Sequence, residues 1–477
     1  MKTITQALRL VCVLVSALYV SLPAAAGVRI FPSPQQLARQ ANASAHYVAD
    51  VTADLPLRPQ HYAGDTAYVV STGLFYVSDG LSWQPTALGG QAFDAFARLR
   101  TSSPYTLFES QSQYNTGAIL WEDKLTATGT ATHVTDSTVR LRVAANGDAV
   151  VRQSRQYLRY RPGKSQIIAM TFQSGSSDDG DVTRRIGYFD GSNGIYYQQV
   201  GSTLSICQRD AGADTCVAQS SWNVDPLTGG GNSGVTLSPT KSQILLIDLQ
   251  WLGVGRVRVA FDIDGVAYTA HEFLNANTTT GTYMVTANLP VRYEISATGA
   301  VSTTHDLFAI CATVQSEGGF ETELGYTRGA GSATGIGVTT RRAVMSIRPK
   351  ATFNSITNRS QIIFESAEQT ATTNGAYCEL VYNPTLGGVP SWTSAGTNSV
   401  VEYDVAGTTV TGGDVLAGWF VLAGAGSAKG AGTKSLAERS PLTLDQAGAN
   451  PTILTIACTA FTGTSTLTTA MNWREFW

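Results

Sequence analysis

From residue 93 to residue 477 the chain is a succession of short runs rich in Val, Thr, Ile, Tyr and Phe, each closed by Gly, Asn, Asp or Pro. Runs at 138–144, 166–172, 194–199, 243–249, 257–263 and 291–295 are followed by others at 343–347, 361–364, 377–381, 419–422 and 453–457. Apolar positions recurring at helical spacing are scarce. A run of this length forms a strand, and a strand with one apolar face needs a second sheet to cover it. Many such strands at close spacing point to sandwiches or jelly rolls. The expected fold class is therefore all-β: a small N-terminal β module followed by two jelly-roll-like β-sandwiches.

The organisation follows from punctuation. Residues 1–45 read as an apolar N-terminal segment and a linker containing Pro32 and Pro34. Residues 46–92 hold two apolar runs, 67–70 and 74–77, joined by Ser71-Thr72-Gly73 and followed by the turn Ser78-Asp79-Gly80, which suits a small meander. A first sandwich is expected over 93–333 and a second over 334–477, with Gly329-Ala330-Gly331-Ser332 as the bridge. Charged residues make up only 14% of the 477, and the formal net charge is −3. With no basic excess to neutralise phosphates, nucleic acid is not an expected partner. The low charge excludes a charge-rich disordered chain, and the 43% hydrophobic content excludes mucin-like low complexity.

Two segments admit more than one reading. Lys2 and Arg9 precede an apolar run over residues 10–22, which is followed by Pro23 and Ala24-Ala25-Ala26-Gly27. That is the pattern of a cleaved secretory signal, and it is short for a transmembrane helix. The same run, with Leu10, Val11, Val13, Leu14 and Leu18, would serve equally as an apolar anchor docked on a neighbouring protein. Six cysteines lie without a CxxC spacing. They read first as buried thiols, although Cys207 and Cys216 flank a turn-like segment and could bond across a hairpin.

No pattern for catalysis emerges. Asp262-Ile263-Asp264-Gly265 lacks the rest of a calcium loop and reads as a hairpin turn. Asp178-Asp179-Gly180-Asp181 is likewise a solvated turn. Glycoside hydrolysis needs two carboxylates at a set separation. Glu402 and Asp404 alternate on one strand, but position 407 is Gly, so the third acid of a laminarinase-like strand is missing. Five histidines are isolated, with no zinc-binding spacing, and no cofactor or metal is expected. The Gly-rich stretch 424–435 reads as a loop without phosphate-binding order. One basic, aromatic concentration stands out: Arg152, Arg155, Tyr157, Arg159, Tyr160 and Arg161, with Arg140 and Arg142 upstream. Arg and Tyr are the residues of subunit interfaces, and this tract is the candidate interface.

Several blocks carry a resemblance. FARLRTSSPYTLFESQ at 96–111 resembles the FGRLRVSNPxTLFDSQ opening of a family of tailed-bacteriophage virion structural proteins, with Ala97 where the family usually has Gly. The blocks RIGYFD (185–190), NGIY (193–196), SWNVD (221–225), IDLQWLGVGRVR (247–258), NLPVRYEI (288–295), SIRPK (346–350), Asn358-Arg359 and NWRE (472–475) follow in the family's order. YVSDGLSW at 76–83 is similar to a YxSDGxxW module near the amino ends of phage fibre and appendage proteins. The resemblance implies a virion location and a structural role as a fibre, spike or decoration subunit, without catalytic residues. It implies a homo-oligomer, a trimer by preference, alongside other virion proteins and with a host surface glycan as a further partner. It also favours the anchoring reading of the N-terminal run. The competing reading is a secreted, lectin-like carbohydrate-binding protein with a cleaved signal.

Overall fold

The computed structural model describes residues 28–30, 46–50, 52–56, 65–69, 74–78, 83–85, 104–175, 179–319, 324–423 and 441–477. The anchor candidates Leu10, Val11, Val13, Leu14 and Leu18, the 96–103 part of the first phage-like block, and the 424–435 loop lie outside the described residues. The chain divides into two units, residues 1–93 and 94–477.

The first unit carries a five-stranded sheet in sequence order: Val28–Ile30, His46–Ala49, Thr66–Val69, Leu74–Ser78 and Trp83–Pro85. It departs from the expected meander in two ways. Val28–Ile30, read as linker, pairs antiparallel with His46–Ala49, because its Val-Arg-Ile alternation is itself a strand pattern. His46–Ala49 and Thr66–Val69 run parallel, so the intervening chain, with its short helical turn Thr52–Asp54, crosses over instead of forming a hairpin. Tyr47, Ala49, Leu55, Ala67, Val69 and Tyr76 close a small core, and the Trp83 indole donates to Pro56 O at 2.9 Å.

The second unit is all β, with two sandwiches. In the first, a seven-stranded sheet runs Ala213–Ala218, Thr203–Asp210, Gly194–Val200, Val182–Phe189, Val291–Ala297, Ala149–Ser154, Trp121–Thr126. It faces a sheet ordered Val266–Phe273, Val257–Ile263, Gln243–Leu249, Gln166–Gln173, His305–Ser316, Thr138–Val143, Thr130–Val134, and Tyr105–Gln111 also pairs with His305–Ser316. Alternation builds the core: along Gln166–Gln173 every second residue is buried, and Ile168, Met170 and Phe172 meet Ile186, Tyr197, Tyr293 and Ile295 from the opposite sheet. The turn before Gly194–Val200 requires glycine. Gly194 has φ +145°, and a Cβ there would lie 2.1 Å from the Cβ of Phe189.

The second sandwich pairs a six-stranded sheet (Thr393–Ser394, Val401–Asp404, Arg342–Pro349, Leu454–Ala460, Ala376–Tyr382, Asp414–Val421) with a sheet built on the twelve-residue strand Ser465–Phe476. That strand pairs with Gln361–Ala371, Tyr326–Gly331 and Ile336–Val338. The expected boundary at 333/334 therefore shifts. Tyr326–Gly331, which contains most of the supposed Gly bridge, is a strand of the second sandwich. Its glycines permit close approach: a Cβ on Gly329 would come within 2.5 Å of the Asn472 side chain.

The cysteines depart from the thiol reading. Cys207 and Cys216 face each other across the hairpin and are bonded, and so are Cys378 and Cys458 on adjacent strands, a pair the spacing did not suggest. Cys311 is a free, exposed thiol. Asp262–Gly265 is the expected tight turn: Asp264 and Gly265 both have positive φ, and Gly265 N donates to Asp262 Oδ1 at 3.0 Å.

Candidate functional site

The Arg/Tyr tract leads to the seam between the two sandwiches, where it is largely buried within one copy of the chain. Arg152, in a strand next to the sheet edge, is 1% exposed and donates twice to Asp123, at 2.8 and 2.9 Å, and to Thr116 O. Its guanidinium lies 4.6 Å from the centroid of the Trp121 ring. Burial holds the Arg152 pKa below its ordinary value, opposed by the charge of Asp123. Tyr157 is buried beneath Arg359 of the second sandwich, at 4.3 Å from ring centroid to guanidinium. Arg159 and Arg161 lie over Phe476, from the long strand of the second sandwich, at 5.2 and 5.8 Å. Tyr160 points instead into the first sandwich, edge-on to Trp251 at 5.7 Å. As a candidate contact between subunits the tract is thus displaced: Arg152, Tyr157, Tyr160 and Arg161 are covered by their own chain, and only Arg155 and Arg159 are partly exposed.

Residues that the sequence did not single out close the seam. Arg359 donates to three successive carbonyls, Leu444, Asp445 and Gln446, at 3.2, 2.8 and 3.1 Å, and so shapes the turn that presents Gln446. Gln446 N donates to Glu122 Oε2 at 3.0 Å, and its side-chain amide donates to Glu122 O at 2.8 Å and Val151 O at 3.3 Å. Burial raises the Glu122 pKa, moderated by the Gln446 N–H and by Arg155. Arg359 belongs to a quoted phage-like block, but nothing local in the sequence marks its partners, 85 or more residues away.

Beside the seam opens a cleft of about 290 Å³ lined by Ala118, Ile119 and Arg155 from the first sandwich and by Tyr382, Asn383, Gly413 and Asp414 from the second. Arg155 Nε donates to Ala118 O at 2.8 Å, and the described residues offer no acceptor to its Nη atoms. Tyr382 and Asp414 are register partners at one end of the strand pair that forms the edge of the six-stranded sheet. Gly413, with φ +77°, must be glycine there, since a Cβ would reach Tyr382 O at 2.7 Å. The Tyr382 hydroxyl donates to Pro441 O at 3.0 Å, and burial pushes its pKa up to about 12, with Arg155 lowering and Asp414 raising it.

The carboxylates considered for hydrolysis are engaged in local contacts. Glu402 Oε1 accepts from Arg348 Nε at 2.6 Å, and Asp404 accepts the backbone N–H groups of Ser391, Ala406 and Gly407 at 2.6, 3.1 and 2.9 Å. Gly407 fits that turn because a Cβ would sit 2.9 Å from Asp404 Oδ2. Among the described residues no three His, Cys, Asp or Glu side chains converge on a point.

No family model matches the chain, and the search of curated proteins finds no match. Similar solved structures include a glycosyl hydrolase family 16 protein from Mycobacterium smegmatis (10% identity, 44% of this chain and 99% of that one, TM-score 0.32). Others are an endo-β-1,4-glucuronan lyase from Trichoderma reesei (11%, 43% and 94%, TM-score 0.30) and a legume lectin-like domain from Entamoeba histolytica (9%, 45% and 98%, TM-score 0.28). The likeness extends to the fold alone.

Proposed function

We propose that the chain is a non-catalytic structural subunit of a bacteriophage particle, a fibre, spike or surface decoration protein that assembles as a homo-oligomer, preferably a trimer, with other virion proteins. The observation that carries this reading is the placement of the phage-like blocks. Residues 247–258 span the end of one core strand, a turn and the start of the next. Residues 288–295 supply the Leu289 bridge to Leu158 and most of the strand beside Ala149–Ser154. Near the C-terminal end of the second sandwich, Trp473 and Glu475 are both 0% exposed; Glu475 accepts from Ser399 Oγ, Val400 N and Trp473 Nε1. These blocks hold strands, turns and buried ion partners in place, which is the work of a frame and not of a reacting centre. The far end of the edge strand Asp414–Val421, where exposed Phe420 packs between Tyr377 and Phe461, offers a surface that further copies would cover.

Two disulfides suit a virion surface, and they suit a secreted lectin-like protein equally well. The ordered blocks favour the particle. Mass spectrometry of purified particles tests it: the chain is expected as a stoichiometric component, and sedimentation of the isolated chain is expected to give a trimer at micromolar concentration. A chain found only in the medium, processed near residue 27, would instead establish the secreted reading.

A further inference from the structure

We infer that the cleft beside the seam binds a sugar residue bearing a carboxylate, of the uronic or sialic acid class. The inference is independent of the particle reading, since a secreted protein would use the same cleft.

The argument starts from two charges that face one space without neutralising each other. Arg155 comes from the first sandwich and Asp414 from the second, and they form no ion pair although both line the cleft and both act on the Tyr382 hydroxyl. Arg155 is oriented by its Nε bond to Ala118 O, which leaves the planar pair of Nη groups as the part able to grip a carboxylate through two parallel bonds. Asp414 is an exposed acceptor at the start of its strand, suited to a pair of hydroxyls. Asn383 has positive φ, +52°, and its side-chain amide bonds to no described residue, so it adds both a donor and an acceptor at the rim. Ile119, 43% exposed, supplies an apolar wall for the C–H face of a ring.

Ligand chemistry can be sorted against this set. A simple anion would satisfy Arg155 but leave Asp414 and Asn383 unused. A neutral sugar would satisfy Asp414 and Asn383 and leave Arg155 without a partner. An amino-acid zwitterion would match the two charges and leave Asn383 unused. A sugar with a carboxylate at one end and hydroxyls at the other matches all three. The volume, about 290 Å³, lies at the lower limit of small-molecule sites, roughly 300–1,000 Å³, so one residue of a glycan would be held with its neighbours outside.

The test titrates the full chain in solution with N-acetylneuraminic acid and with glucuronic acid, using glucose and glycine as controls, and reads binding by saturation-transfer NMR and calorimetry. One acidic sugar is expected to bind at least about tenfold more tightly than either control, and Asp414→Asn and Asn383→Gly, the latter keeping the positive φ of that position, are each expected to weaken it by about tenfold with an unchanged thermal midpoint. Arg155→Gln should abolish the preference for acidic over neutral sugars. Because Arg155 also holds the 117–121 turn, the Asp414 and Asn383 variants keep the test separate from folding. Binding of neither acidic sugar, equal binding of glucose or glycine, or acidic-sugar binding that survives Asp414→Asn would overturn the assignment. None of these outcomes bears on whether the chain is found in particles.

Discussion

At the seam, individual residues matter through their charges. Arg152 is enclosed by Asp123, Thr116 O and the Trp121 ring, so Arg152→Met removes one side of a largely buried pair and leaves Asp123 with its own desolvation. The expected loss is about 3 kcal/mol of unfolding free energy, read by chemical denaturation. Glu122 behaves in the opposite sense. Its pKa in the folded chain is raised by burial, so the ionised form weakens the folded state, and protonation relieves this as pH falls through the raised pKa toward 4.5. Glu122→Gln keeps an acceptor for Gln446 N and removes the titration. The variant is expected to equal or exceed the parent in stability at pH 7, and the parent's gain between neutral pH and about 4.5 should be smaller in it. A variant that loses stability at pH 7 would show that the ionised carboxylate strengthens the seam.

At the level of strands, the disulfides make a ranked prediction. Cys378–Cys458 links adjacent strands across 80 residues of sequence, and Cys207–Cys216 closes a hairpin of separation 9. Constraint of the unfolded chain grows with loop length, so Cys378→Ala with Cys458→Ala should cost about 4 kcal/mol and Cys207→Ala with Cys216→Ala should cost less, on the order of 2–3 kcal/mol. Equal losses would point to local packing around each bridge instead. The strands themselves were legible: short runs rich in β-branched, apolar and aromatic residues, closed by turn residues, mark 166–172 or 257–263 without any knowledge of partners. Tyr326–Gly331 was not, since a Gly-rich edge strand has the composition of a linker and acquires its identity only from the Asn472 side of its neighbour. The disulfide between Cys378 and Cys458 was hidden for the same reason, because strand adjacency across 80 residues leaves no local trace. The tract 152–161 was visible as a concentration of Arg and Tyr, but Arg359, Gln446 and Phe476, which cover it, lie too far along the chain to be paired with it by pattern.

Across the 94–477 unit, the seam joins two cores that each have a complete sandwich of their own. Arg359 shapes the turn that carries Gln446 and also covers Tyr157, so Arg359→Ala should loosen the coupling without emptying either core. Calorimetry is expected to show one cooperative transition for the parent unit and two partly resolved ones for the variant; a single transition merely shifted downward would mean that the sandwiches remain one cooperative body without this clasp. The order of strands adds a kinetic dimension. His305–Ser316 pairs with Tyr105–Gln111, Thr138–Val143 and Gln166–Gln173, and Thr313 meets Phe108 from a position 205 residues later. At about 5–20 residues per second, a ribosome needs roughly 10–40 s to deliver that partner after the early strands have emerged. Throughout that interval the nascent chain carries strand edges whose neighbour does not yet exist, so slow translation, which helps many proteins, lengthens the most vulnerable stage in the life of this one.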